Sequence, residues 1–313
     1  MKIVFAGSPA VAVPTLEALL TEGFQVVGVL TRPPARMGRG RNLHPTPVAE
    51  AARAAQIPVL ETENPNDPTS LETLQQWDPE LGVVVAYGAI LRPEVLSIPD
   101  HGWINLHFSD LPRWRGAAPV QWTIRSGDDQ AATCVFQLER GLDTGPVFAR
   151  SLHALDGTET SGQLLEELAE SGAVQVCQVA RELAAGTALS KAQPETGVTI
   201  APRLDKRDGF VDFSTSAREV DRIIRSVTPN PGAWTRLPGG AVLKLGPVTV
   251  LEGDDSLEPG ELTWTKNTVT VACSRGAVRL GQVAPAGKKW MDAAAWVRGA
   301  RLDRSARLGD SNG

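Results

Sequence analysis

The sequence predicts an α/β chain, a doubly wound and mostly parallel sheet in front with a small β-barrel behind it. Three observations lead there. Through residue 187, β-branched runs alternate with segments of helical period, the pattern of a parallel sheet covered by helices. Beyond residue 205 the apolar runs are short and separated by Gly and Pro, as in small barrels. At 313 residues the chain is long for one core and comfortable for two domains.

Taken in order, Lys2–Ala6 reads as a buried strand, and Gly7-Ser8-Pro9 turns it into a helix over Val13–Leu20. Phe24–Leu30 is a second strand, closed by Thr31-Arg32-Pro33-Pro34. Helices are expected over Pro47–Ala55 and Leu71–Trp77, with a short strand at Pro58–Leu60 between them. Leu81–Ala86, Trp103–His107 and Ala132–Leu138 are further strands, and Val120–Arg125 is a helix. In such a Rossmann-like sheet, ligands sit beyond the carboxyl ends of the strands. Ser161–Leu183 is long enough to cover one sheet face. The expected domains are 1–187, a linker over 188–205, a barrel over 206–303 and a tail over 304–313. Within the barrel, Ala217–Ile224 reads as a helix, and Ala241–Leu245, Thr268–Cys273 and Ala277–Val283 as strands.

Composition narrows the class. A 42% hydrophobic and 21% charged chain is of the globular kind. No apolar run approaches the ~20 residues of a membrane span, and the first residues enter a strand at once rather than forming an export signal. Cys134, Cys177 and Cys273 are odd in number and far apart, which argues against a disulfide framework and a cysteine zinc site. A reducing cytoplasm is the expected compartment. The net charge of −5 is unevenly spread: from Lys206 onward 16 Lys and Arg face 12 Asp and Glu, a balance of +4, against −9 in front. A basic rear part is a weak pointer to a polyanionic partner.

The chemistry concentrates in a few short motifs. Gly7-Ser8-Pro9 lacks the spaced glycines of a dinucleotide site. In Ile104-Asn105-Leu106-His107, Asn105 and His107 fall on one face of a strand near its carboxyl end. An amide beside an imidazole suits acyl transfer, where negative charge grows on a carbonyl oxygen; a structural histidine beside a turn asparagine fits the same pattern. Arg113-Trp114-Arg115-Gly116-Ala117-Ala118-Pro119 follows, and then Gly141-Leu142-Asp143-Thr144-Gly145. Each glycine-flanked motif serves a ligand or a plain turn equally well.

Together, in this order and spacing, these motifs resemble the folate-dependent formyltransferases. Arg113–Gln121, Val83–Gly88, Ala201–Leu204, Asn230–Trp234 and Gly287–Lys289 resemble in particular the members acting on methionyl-tRNA. The resemblance covers nearly the whole chain. It implies that Asn105, His107 and Asp143 are catalytic. It implies that Ser109, Asp110, Leu111 and Pro112, with the Tyr87-Gly88 loop, bind 10-formyltetrahydrofolate as formyl donor. Arg39 and Arg41 would approach the acceptor end of initiator methionyl-tRNA, and the basic rear domain, with Lys206, Arg207, Lys288 and Lys289, would add contacts to it. No metal and no membrane are implied, and a monomer is expected. Asp110 departs from the leucine usual in the family turn, and its side chain is expected to face solvent or Arg113 or Arg115. A protonated His107 is expected to stabilise the oxyanion with Asn105, held by Asp143. A formyltransferase acting on a small amine, a formyl-tetrahydrofolate hydrolase and a non-enzymatic RNA-binding protein remain as alternatives.

Overall fold

Strands that are apolar on both faces need cover on both sides, and the front half of the chain supplies them. Lys2–Gly7, Leu81–Val85 and Trp103–His107 are buried nearly throughout. The computed structural model describes residues 1–37, 42–252, 257–303 and 305–309. Seven strands form one sheet in the order Val147–Ala154, Gln130–Gln137, Trp103–His107, Leu81–Val85, Lys2–Gly7, Gln25–Thr31, Val59–Glu61. The last five are mutually parallel. Gln130–Gln137 runs against them, and Val147–Ala154 returns antiparallel to it. The sheet is thus mostly parallel, with helices attached, as expected. The reversed strand and its edge partner are a feature that hydrophobic pattern does not report.

Local chemistry explains the helix boundaries. Thr46 caps Pro47–Ala54 by accepting from the Ala49 N–H, and Asp67 caps Pro68–Trp77 by accepting from the Ser70 N–H. Each of these helices begins on proline, whose missing N–H costs nothing at that position. The long helix Ser161–Ala184 comes close to the sheet at Gly172, where an added Cβ would stand 2.7 Å from the Leu106 methyls. Leu106 points to that helix, so Asn105 and His107, its neighbours on either side, point to the opposite face.

The chain divides into two compact units. The first takes in Met1–Pro119, Gln130–Ala154 and Leu165–Pro202; the second begins at Arg203 and also gathers Val120–Asp129 and Leu155–Leu164. The second unit has two four-stranded antiparallel sheets. Among the described residues no ladder joins these sheets into a closed ring, so the expected barrel stands as two antiparallel sheets. Their core is built from residues such as Val211, Phe213, Leu243, Val269 and Val278, with Val220 and Ile224 of the helix Ala217–Ser226. Ser216 and Glu219 cap that helix reciprocally. A further helix, Ala293–Ala300, was not expected; Asp292 caps it by accepting from the Ala295 N–H. No helix among the described residues is long and apolar enough to cross a membrane.

Candidate active site

His107 ends its strand almost fully buried. It is 5% exposed, and its ring and that of Phe136 stand nearly perpendicular at a centroid distance of 6.2 Å. Nε2 lies 2.9 Å from the Trp114 carbonyl oxygen. A carbonyl only accepts, so Nε2 carries the hydrogen and Nδ1 is left for other partners. Nδ1 faces Asp143 Oδ2 at 3.9 Å, too far for a direct hydrogen bond. Burial pulls the imidazole pKa below its ordinary 6.5, with the Asp143 charge and the Trp114 carbonyl opposing. Burial thus works against the protonated ring expected from the sequence, and the Asp143 charge works for it.

Asn105 shares the His107 face of the strand. Its Oδ1 is buried and has no hydrogen-bond partner, a costly state for an amide end unless a ligand meets it.

Asp143 arrives by an indirect route. Its strand, Gln130–Gln137, is antiparallel to that of His107, with Cys134 opposite His107 and Gln137 opposite Ile104. The chain therefore leaves that strand at the amino end of Trp103–His107, and the Gly141–Gly145 loop must return to the ring. Gly145 lies so close to the Gln137 carbonyl that an added Cβ would stand 1.8 Å from its oxygen. Asp143 itself has a left-handed backbone, φ 50°. Its Oδ2 accepts from the Gly116 N–H at 2.7 Å. Gly116 must be glycine, because its φ is 124° and a Cβ would meet the Ala201 carbonyl oxygen at 2.7 Å.

Trp114 also has positive φ, 61°, which is unusual for a bulky side chain. Its N–H donates to Thr199 Oγ1 at 2.8 Å, and the Arg113 guanidinium stacks on its ring at 4.4 Å. Non-glycine residues held in such conformations cost ~1–3 kcal/mol each and gather at functional sites. Here Trp114 and Asp143 are both partners of His107.

The residues of the Ser109–Pro112 turn divide by what they touch. Ser109 is buried, and its hydroxyl donates to the Arg113 carbonyl at 2.6 Å and to that of Trp114 at 3.4 Å. Leu111 packs with Cys134 and Phe136. Pro112 follows Leu111 through a cis peptide bond. Asp110 pairs with Arg150, which grips it with Nε and with Nη2, the latter at 2.5 Å. This corrects the expected partner: the acid neither faces solvent alone nor turns to Arg113 or Arg115. Arg150 belongs to the edge strand Val147–Ala154 and sits on one cross-strand row with Cys134 and His107.

Tyr87 differs more. Its ring is 2% exposed and packs among Val4, Leu30, Val84 and Trp103, and burial pushes its hydroxyl pKa up to about 12. Its side chain is core; only the loop backbone, whose carbonyl accepts from Ser8 Oγ at 3.0 Å, faces the Gly7-Ser8-Pro9 turn. Gly88 next to it has φ 83° and open space around it.

In the second unit Lys206 and Arg207 are exposed on one turn, where the Lys206 carbonyl accepts from Trp234 Nε1. Lys288 and Lys289 are exposed on another, beside Trp290. Arg39 and Arg41 lie outside the described residues. Among the described residues no group of three or more His, Cys, Asp or Glu side chains is arranged to hold a metal. Sequence reasoning missed Gln193, Thr199 and Arg150, and gave no roles to Trp114 and Gly116 within the motif it had marked.

A buried imidazole facing a carboxylate, beside an orphaned amide, has the chemistry that acyl transfer to a nucleophile needs. Residues 1–179 match the Formyl transferase family and residues 203–301 its C-terminal domain, and the chain belongs to that family. The particular relatives sharpen this. "Methionyl-tRNA formyltransferase" of Thermobifida fusca is 49% identical over 99% of this chain and 100% of its own. The Salinispora tropica protein of the same name is 46% identical over 96% and 98%. Among solved structures, HypX from Aquifex aeolicus in complex with tetrahydrofolic acid aligns with a TM-score of 0.68 at 15% identity. It covers 95% of this chain and 47% of that one, so the chain spans about half of that longer protein. That likeness is one of fold.

Proposed function

We propose that this chain transfers the formyl group of 10-formyltetrahydrofolate to the α-amino group of methionine on initiator methionyl-tRNA. The observation that carries the reading is the approach of Asp143 to the buried Nδ1 of His107, beside the orphaned amide of Asn105. The names of relatives that match end to end supply the substrates.

The site fits the formyl donor on chemistry visible in the chain. The two ends of the Asn105 carboxamide can exchange by rotation, so its NH₂ can point where Oδ1 now lacks a partner. The Ser109–Pro112 turn and the backbone at Tyr87-Gly88 would line the pocket. Once bound, the donor supplies an activated formyl carbon.

The residues then divide the work. An α-amine of pKa ~7.7–8.0 is already partly neutral near pH 7, so little activation is needed. Forming the new C–N bond places negative charge on the formyl oxygen and leaves the attacking nitrogen with a proton to lose. Asn105 donates to that oxygen, a contribution commonly worth ~3–4 kcal/mol. Asp143 and His107 Nδ1 hold the released proton between them, directly or across one water, and return it to the departing nitrogen as the old C–N bond breaks. Trp114 keeps Nε2–H engaged throughout, so only Nδ1 takes part.

Region 206–303, its two sheets read as an OB-like barrel, would bind the tRNA through Lys206, Arg207, Lys288 and Lys289. Arg39 and Arg41 would reach the acceptor end. Asn105, His107 and Asp143 come from one chain, so a monomer suffices, and both substrates belong to the cytoplasm.

The test is to supply formyl-labelled 10-formyltetrahydrofolate with initiator methionyl-tRNA, elongator methionyl-tRNA, a sugar-nucleotide amine or no acceptor. Label recovered on the methionine amine of the initiator supports the reading. Label transferred only to the small amine, or released as formate at the same rate without acceptor, overturns it.

A further inference from the structure

We propose that Gln193 is a positioning residue that sets the approach of Asp143 to His107, an inference that rests on the role given to Asp143 above. Gln193 lies in the region 188–205, which is expected from the sequence to be a linker. In the fold that segment is fastened to the catalytic unit at several points. Lys191 and Val147 exchange backbone hydrogen bonds at 2.9 and 2.8 Å. Thr199 Oγ1 holds the Trp114 N–H, and Ile200–Ala201 pairs with Arg115–Gly116.

Between these fastenings Gln193 reaches the Asp143 loop. Its Nε2 donates to the Asp143 carbonyl and to the Gly145 carbonyl, both at 2.8 Å. Its Oε1 accepts from Arg115 Nε at 3.1 Å and from Nη2 at 2.6 Å. A carboxamide offers two hydrogens and two lone pairs, and here all four are used.

The geometry closes a ring around the proton-handling pair. The Trp114 carbonyl holds His107, and the Gly116 N–H holds the Asp143 carboxylate. Arg115, between them, holds Gln193, which in turn holds the Asp143 backbone. One three-residue stretch, Trp114–Gly116, thereby fixes both ends of the 3.9 Å gap. The Asp143 loop needs this bracing because it returns from the far end of an antiparallel strand and carries a left-handed residue at its working position. Without Gln193, two carbonyls of that loop lose their donor and Arg115 loses its acceptor. The hydrogen bond from the Gly116 N–H would then have to position the carboxylate without that brace.

The experiment compares Gln193→Ala, Gln193→Glu, Asp143→Asn and the double variant Asp143→Asn/Gln193→Ala in formyl transfer to initiator methionyl-tRNA across pH. Thermal melts check that each is folded. Gln193→Glu is isosteric, keeps the Arg115 contact and lacks both N–H donors, so it reads the positioning role even where the alanine variant folds poorly. Both Gln193 variants should lower kcat by ~10-fold or more, since a ~1 Å misplacement costs up to ~100-fold. KM for the formyl donor should stay within about twofold, and the midpoint of the kcat–pH profile should shift. In the Asp143→Asn background, Gln193→Ala should cost less than about threefold, because residues acting through one another are not additive. If Asp143→Asn itself turns over normally, the role given to Asp143 fails and this inference with it. If Asp143→Asn is crippled while Gln193→Glu is normal, or if Gln193→Ala costs as much in the double variant as alone, only the inference about Gln193 is overturned.

Discussion

Replacing Asp143 by asparagine removes one charge and almost nothing else. The shape is kept, and the Gly116 N–H that now donates to Oδ2 at 2.7 Å can donate to the amide oxygen instead. On the proposed mechanism, what disappears is the attraction between a carboxylate and a ring that would become positive as it takes up the proton. The two groups are 3.9 Å apart with side-chain exposures of 6% and 12%. Unit charges at that distance attract by about 4 kcal/mol at an effective dielectric near 20. Felt only in the transition state, that is a factor of roughly 10³ in rate. Turnover should therefore fall by ~10²–10³, with the folate KM within about threefold and the fold intact. The same substitution moves the ring. The Asp143 charge raises the His107 pKa against the stronger lowering by burial, so its removal must carry the titration midpoint to lower pH. An NMR titration of the His107 imidazole in the free protein reads that midpoint directly. Turnover within about threefold of the parent, or a midpoint that stays put or rises, would refute the reasoning.

Other expectations follow from single observations. His107 is buried with its pKa below 6.5. Between the folded value and 6.5 the unfolded chain binds more protons, so stability is lost as pH falls through that window and is unaffected above it. His107→Asn should flatten the dependence, as urea unfolding from pH 5 to 7.5 would reveal; an unchanged slope counts against a lowered pKa. Asp110→Leu removes a partly exposed pair with Arg150, worth at most ~1 kcal/mol. It should alter kcat or folate KM by less than about tenfold, and a hundredfold change would give Asp110 a direct part in the pocket. Replacing Lys206, Arg207, Lys288 and Lys289 by alanine should lower the slope of log affinity for tRNA against log salt by ~0.7–0.9 for each phosphate no longer neutralised. Folate KM should not move, and a slope equal to the parent's would remove these residues from the tRNA surface.

Sequence pattern carried what is local. The runs at Lys2–Gly7, Leu81–Val85 and Trp103–His107 are apolar on both faces because both faces are covered, and that alone makes them readable. The helix starts after Thr46 and Ser216 fall where the sequence places them, whereas the helix capped by Asp67 starts at Pro68, ahead of the Leu71 expected. Asn105 and His107 could be assigned to one face because strand periodicity is fixed by the backbone. The order and spacing of the motifs could be read from the chain, while the candidate trio and the expected folate turn came from the resemblance those motifs carry. Tertiary structure alone decided strand direction, since a run such as Gln130–Gln137 looks the same in either direction. From that direction follow the returning Asp143 loop and the placement of Arg150 beside Asp110. It also decided that Tyr87 is core and that burial pulls the His107 pKa down, because exposure and pKa depend on what packs around a group. Gln193 is the plainest case: four hydrogen bonds to residues 48 to 78 positions away along the chain leave no trace in its own neighbourhood. A backbone propensity or a capping preference acts over a few residues and is written there, whereas a long-range contact exists only once the chain has closed upon itself.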